Sequence, residues 1–149
     1  MSVQPLTFAL PLSRIVGRDD ELAAIEILLR DARLVTIVGL GGIGKSRLAA
    51  EVVARVVVHR PAYVVDLDGL GALSHIESRI ATVIGCPTAS DAEPAQALVD
   101  RLATMNPVLV LDGLDDVPDA SRLIERILAQ TESSVLVTSR RPLRIRGAR

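Results

Sequence analysis

The chain has 149 residues, enough for one domain with its own core. Nearly half of them are apolar (49%) but only 1% are aromatic, so the core must be aliphatic, and the ring platforms on which single-stranded nucleic acids stack are excluded. A formal net charge of -1 creates no global field for DNA or anionic lipid, and a single cysteine, Cys86, excludes an intrachain disulfide and offers no metal-site spacing. No apolar run is long enough to cross a bilayer, and Leu6 to Leu12 has no basic residue before it and lies among prolines. The expectation is a cytoplasmic protein without a signal peptide or membrane partner.

In chain order, residues 1–13 read as an extended arm and 14–149 as one domain. Asp19 and Asp20 offer N-caps to a helix whose apolar positions Leu22, Ile25, Leu28 and Leu29 share a face. Leu34 to Gly39 is a β-branched run bounded by glycine and predicts a buried strand. A helix from Gly44 to about His59 follows, burying Leu48, Val52, Val53, Val56 and Val57, and Pro61 closes it. Ala62 to Asp68 predicts the second strand. Leu73, Ile76, Ile80, Val83 and Ile84 have helical spacing, ended by Gly85 and Pro87. After a polar loop from Thr88 to Glu93 come a short helix at Ala95 to Ala103 and a third strand, Val108 to Asp112. Pro118 suits the first turn of a helix carrying Leu123, Ile124, Ile127 and Leu128. Ser134 to Thr138 is a fourth strand, followed by an arginine-rich tail. Strands alternating with helices predict a three-layer α/β fold, a mostly parallel sheet with helices on both faces, whose ligand lies at the carboxyl ends of the strands.

The glycines and acids of this sequence fall at those ends. Gly39-Leu40-Gly41-Gly42-Ile43-Gly44-Lys45-Ser46 matches G-x-x-x-x-G-K-[ST] between a strand and a helix, the context that a phosphate-binding P-loop requires. Glycines let backbone N–H groups approach phosphate oxygens without a Cβ in the way, and the helix start adds its positive dipole end. Lys45 should reach the β- and γ-phosphates, and the Ser46 hydroxyl should ligate Mg2+. The bland alternative, an accidental glycine turn, is expected on the order of once in a few hundred chains of this length. Val108 to Asp112 is an apolar strand ending in an acid, which can hold the magnesium shell beside the loop. Asp115 or Asp116 could polarise an attacking water, or the acidic run could simply cap the next helix. At the end of the fourth strand, Arg140 could sense a γ-phosphate. Arg141, Arg144, Arg146 and Arg149 are not interleaved with aromatic residues, so direct nucleic-acid binding by this segment is not expected. His59, His75 and Cys86 stand isolated, and Asp66 and Asp68 end the second strand as candidate helix caps, with no pattern supporting a ribose or magnesium role.

With these residues placed, the chain resembles the STAND class of P-loop ATPases, related to NB-ARC signalling ATPases. It looks most like the ATPase module of bacterial transcriptional regulators of the LuxR and SARP types. The likeness rests on Ile15 to Leu22, Val38 to Ala49, Leu109 to Asp116 and Val135 to Leu143. The resemblance implies ATP/ADP and Mg2+ as cofactors, Val16, Gly17 and Arg18 near the adenine and phosphates, and Arg47 with the P-loop residues in the nucleotide set. It makes Arg140 the phosphate-sensing arginine, and the family pattern commonly puts an acid where Asp115 stands. It further implies a switch in which ADP holds a closed state, ATP permits opening and often oligomerisation, and slow hydrolysis resets the system. Gly113 departs from plant-type members, which carry a second acid there, and Arg141 stands where Glu is frequent. The resemblance also implies a fragment of a larger protein without its C-terminal lid, whose other domains would be the lid, sensor repeats and a DNA-binding domain. Two other readings are a P-loop small-molecule kinase and a nucleotide-binding scaffold that never hydrolyses.

Overall fold

The computed structural model describes residues 18–39, 44–56, 59–86, 93–115 and 117–145, with the backbone alone at Val56. The elements are α1 (Asp19–Asp31), β1 (Leu34–Val38), α2 (Lys45–Val56), β2 (Ala62–Asp66), α3 (Leu73–Ile84), α4 (Pro94–Met105), β3 (Val108–Asp112), α5 (Ala120–Gln130) and β4 (Ser134–Ser139). The strands form one sheet in the order β1-β4-β3-β2, with every neighbouring pair parallel.

Alternation along the strands sorts the side chains into two cores. Leu34, Tyr63, Val65, Leu109, Leu111, Val135 and Val137 pack with α3, α4 and α5. Val35, Ala62, Val108, Val110 and Leu136 pack with Leu22 and Ile25 of α1 and Leu48, Ala49, Val52 and Val53 of α2. The result is the expected three-layer α/β architecture. Burial on both faces explains why β3 reads as a continuous apolar run from Val108 to Leu111 in the sequence.

Several boundaries differ from the sequence expectation for local reasons. Arg18, not an aspartate, is the N-cap of α1; Asp19 and Asp20 lie in its first turn with Glu21, where their charge faces the positive helix end. β2 stops at Asp66 because the Asp66 Oδ1 accepts the Asp68 N–H at 3.0 Å and turns the chain. α4 runs from Pro94 to a left-handed Asn106, longer than Ala95 to Ala103. α5 begins at Ala120, because Asp119 adopts φ +64 and breaks helical continuity after Pro118. The 1–13 arm, Val57 and most of the 88–93 loop lie outside the described residues.

The strand order positions the site. β4 lies between the P-loop strand β1 and the acid-bearing strand β3, so the tip of β4 separates them. Register aligns Asp66 with Asp112, and Val38 with Ser139, along a single rim.

Candidate functional site

Parity decides which rim residues can meet. Asp112 continues the Val108, Val110 series and therefore faces α2, whose first turn carries Ser46. Thr138 follows Leu136 on that same face. The Ser46 hydroxyl donates to Asp112 Oδ1 at 2.8 Å, and the Thr138 hydroxyl donates to the same oxygen. The Gly113 N–H in turn donates to Thr138 Oγ1 at 2.8 Å, and the Leu67 N–H donates to the Asp112 carbonyl at 2.8 Å. Asp112 is thus held through its side chain and its backbone at once. Sequence reasoning had not assigned Thr138 a place; its parity with Leu136 was the available signal.

Lys45 Nζ donates to the Gly39 carbonyl at 2.6 Å, so the lysine reaches back to the residue that follows β1. Gly44 has φ +83, a conformation that disfavours a side chain, and a Cβ there would come within 3.2 Å of the Arg18 guanidinium. Arg18 therefore overlies the last glycine of the loop, where Glu21 also pairs with it at 2.9 Å. Gly39 and Gly44 lie within the described residues; Val16, Gly17, Gly41, Gly42 and Ile43 lie outside them, as does Asp116.

A cavity of about 550 Å³ opens at this rim, lined among others by Lys45, Ser46, Arg47, Asp112, Asp115 and Arg140. Asp66 and Asp68 line it too, so both acids end at the cavity edge without forming a helix cap. Gly113 adopts φ +79, and an added Cβ would lie 3.3 Å from the Asp68 backbone nitrogen. A second acid directly after Asp112 would be strained and crowded, which accounts for glycine at that position. Two residues on, Asp115 Oδ1 accepts the Arg140 N–H at 3.0 Å, and its Oδ2 lies 3.6 Å from Arg140 Nε.

The donor set suits a magnesium-bound nucleoside phosphate. Among the described residues no group of three or more His, Cys, Asp and Glu side chains could cage a metal. Magnesium needs no such cage: it keeps several waters and takes one or two protein oxygens alongside phosphate. The Ser46 hydroxyl and Asp112 carboxylate, 2.8 Å apart, are two oxygens that would fit that role.

The fold is that of a P-loop NTPase-type α/β core. No family profile matches the chain. Over 122 residues, 80% of this chain, it is 29% identical to a Mycobacterium tuberculosis protein carrying the provisional name of HTH-type transcriptional regulator. The chain spans about a seventh of that relative's length, 14%. Among solved structures it is similar to Cdc6p from Pyrobaculum aerophilum, with a TM-score of 0.69 and 19% identity, covering 89% of this chain and 41% of that one. It is also similar to a Signal Transduction ATPase with Numerous Domains bearing a tetratricopeptide repeat sensor, from Pyrococcus horikoshii. There the TM-score is 0.58 and the identity 19%, over 91% of this chain and 22% of that one. At such identities the structural likeness shows the fold. No helix among the described residues is long and apolar enough to cross a membrane.

Proposed function

We propose that this domain is a nucleotide-responsive regulatory module that binds ATP and ADP with Mg2+ and hydrolyses ATP slowly. The observation that carries the reading is the convergence of Ser46 and Asp112 at 2.8 Å beside Lys45, on one cavity that Arg140 also lines. Bound magnesium would offset the charge of the phosphates. Ser46 and Asp112 would hold it, Lys45 would leave the Gly39 carbonyl for phosphate, and backbone N–H groups at the start of α2 would complete the cradle. Arg140 would meet oxygens that ATP has and ADP lacks, whereas Lys45, Ser46 and Asp112 serve both nucleotides. Arg18, Val16 and Gly17 are assigned to the adenine side.

The surroundings of Asp115 support slow turnover. Its carboxylate is engaged by the Arg140 N–H and lies 3.5 Å from the Ser139 hydroxyl, which leaves it poorly disposed to orient a water. The name of the mycobacterial relative and the signalling description of the Pyrococcus protein support a switch in a transcriptional or signalling regulator. The short span of the relative supports further domains in the same protein, among them a lid, sensor repeats and a DNA-binding domain, and nucleotide-dependent oligomerisation belongs to the same reading. The test is titration of the chain with ADP and Mg-ATP, alone and in competition, beside Lys45→Ala and single-turnover hydrolysis. Competitive binding that depends on Lys45 is expected. Equal ADP affinity in wild type and variant would overturn the site, and turnover on the order of 1 s⁻¹ or faster would overturn the switch.

A further inference from the structure

Asp115 is a rim acid that contacts an arginine. Its footing is rigid: the Leu114 N–H extends the β3–β4 ladder by donating to the Thr138 carbonyl at 3.0 Å, and the Leu114 side chain is buried. The Asp115 N–H closes a tight turn onto the Gly113 carbonyl at 3.1 Å. From this base Oδ1 takes the Arg140 N–H at 3.0 Å while Oδ2 faces Arg140 Nε at 3.6 Å. One carboxylate therefore grips both the backbone and the guanidinium of a single residue. The tip of β4 is held from its other side by the Gly39 N–H, which donates to the Ser139 carbonyl at 3.2 Å.

Arg140 needs such a grip. Its side chain is 64% exposed, and an arginine at that exposure samples many rotamers unless something fixes it. The contact engages Nε, one of five guanidinium donors, and leaves the forked end as the part presented to an acceptor. We infer that Asp115 is a positioning residue that aims Arg140 into the nucleotide cavity and thereby sets the preference for ATP over ADP. This rests on the proposed nucleotide function and gives Asp115 a role other than orienting the attacking water. Its negative charge repels ATP, which carries one charge more than ADP, the more strongly, so a fall in the ATP-to-ADP ratio on its removal reads the aiming effect against that bias.

The experiment measures ATP and ADP affinities in Mg2+ for the wild-type chain, Asp115→Ala, Asp115→Asn, Arg140→Ala and the Asp115→Ala/Arg140→Ala double variant. Thermal stability and single-turnover hydrolysis are followed in parallel. Arg140→Ala should lower the ATP-to-ADP affinity ratio about tenfold or more, and Asp115→Ala should lower it by most of that factor. Asparagine keeps an acceptor for the Arg140 N–H but no charge for Nε, so Asp115→Asn should fall between Asp115→Ala and wild type. The double variant should fall no lower than Arg140→Ala, because a residue acting through Arg140 has nothing left to act on. In the nucleotide-free protein, the Arg140 Nε–H resonance should move in Asp115→Asn. An unchanged ratio in Asp115→Ala with hydrolysis abolished would overturn the inference in favour of a water-orienting carboxylate. Equal falls with and without Arg140, or a change in stability alone, would also overturn it. Failure of the nucleotide function is distinct: ADP affinity would then not depend on Lys45 at all.

Discussion

At the amino end of the sheet, Arg60 donates to the carbonyls of Asn106, Pro107 and Glu132 and to the Ser134 hydroxyl. Nearby, Arg33 donates to the Thr131 carbonyl. At the carboxyl end, Lys45 likewise donates to a carbonyl, that of Gly39, and Arg140 pairs with Asp115. Both rims thus set cations over backbone carbonyls, yet the surroundings differ. Arg60 spreads its guanidinium over several acceptors fixed by the starts of β3 and β4. Lys45 has a flexible stem and a point charge, and it borders a cavity lined by hydroxyls and carboxylates. A cation spread over several fixed acceptors stabilises the fold, whereas one with an exchangeable acceptor beside a cavity can serve a ligand.

The sharpest way to break this contrast is to exchange the readouts. Lys45→Ala should weaken ADP binding about 10- to 150-fold, the worth of a charge-assisted contact, and change nucleotide-free stability by less than about 0.5 kcal/mol. Arg60→Ala should do the reverse: isothermal titration should read near-native affinity while stability falls by about 1–3 kcal/mol, several degrees in Tm. If Arg60→Ala lost binding and kept its Tm, the division between the rims would be wrong. Next in size, Gly113→Ala should cost about 1–2 kcal/mol, because φ +79 is the left-handed region and the new Cβ meets the Asp68 backbone. Denaturant unfolding checks this, and an unchanged midpoint would show that the turn relaxes. ATP should then outcompete GTP, since Arg18 at the loop edge belongs to the segment assigned to adenine and no Asn-Lys-x-Asp guanine reader occurs in the chain. Equal competition would remove base reading from that segment.

The smallest effect is expected away from both rims. Glu77 on α3 has its pKa raised from the ordinary 4.5, chiefly by burial, then by the Glu93 charge, with Arg126 opposing. A carboxyl whose folded pKa exceeds its unfolded value loses stability as pH rises through that window, so the ionised form is destabilising at neutrality. Glu77→Gln should therefore raise Tm slightly at pH 7, and the gain should vanish as the pH falls below about 4. A gain that persisted in acid would assign the effect to packing.

Much of this molecule was legible from local pattern alone. The β-branched runs and the helical periodicities depend on neighbours within a few residues, and they located the strands and the helices. Boundaries failed where single backbone conformations intervened, as at Asp119 with φ +64 and at the Asp66 turn. The sequence also nominated Asp112, Asp115 and Arg140 as separate candidates. What it left open was their company, because that depends on strand order and parity across residues far apart in the chain. Only the insertion of β4 between β1 and β3 brings Thr138 onto Asp112 and Arg140 onto Asp115. Motif spacing nominated the side chains proposed to meet a phosphate. The tertiary structure decided which side chains orient one another, because hydrogen bonds between strand tips exist only once the sheet has its order.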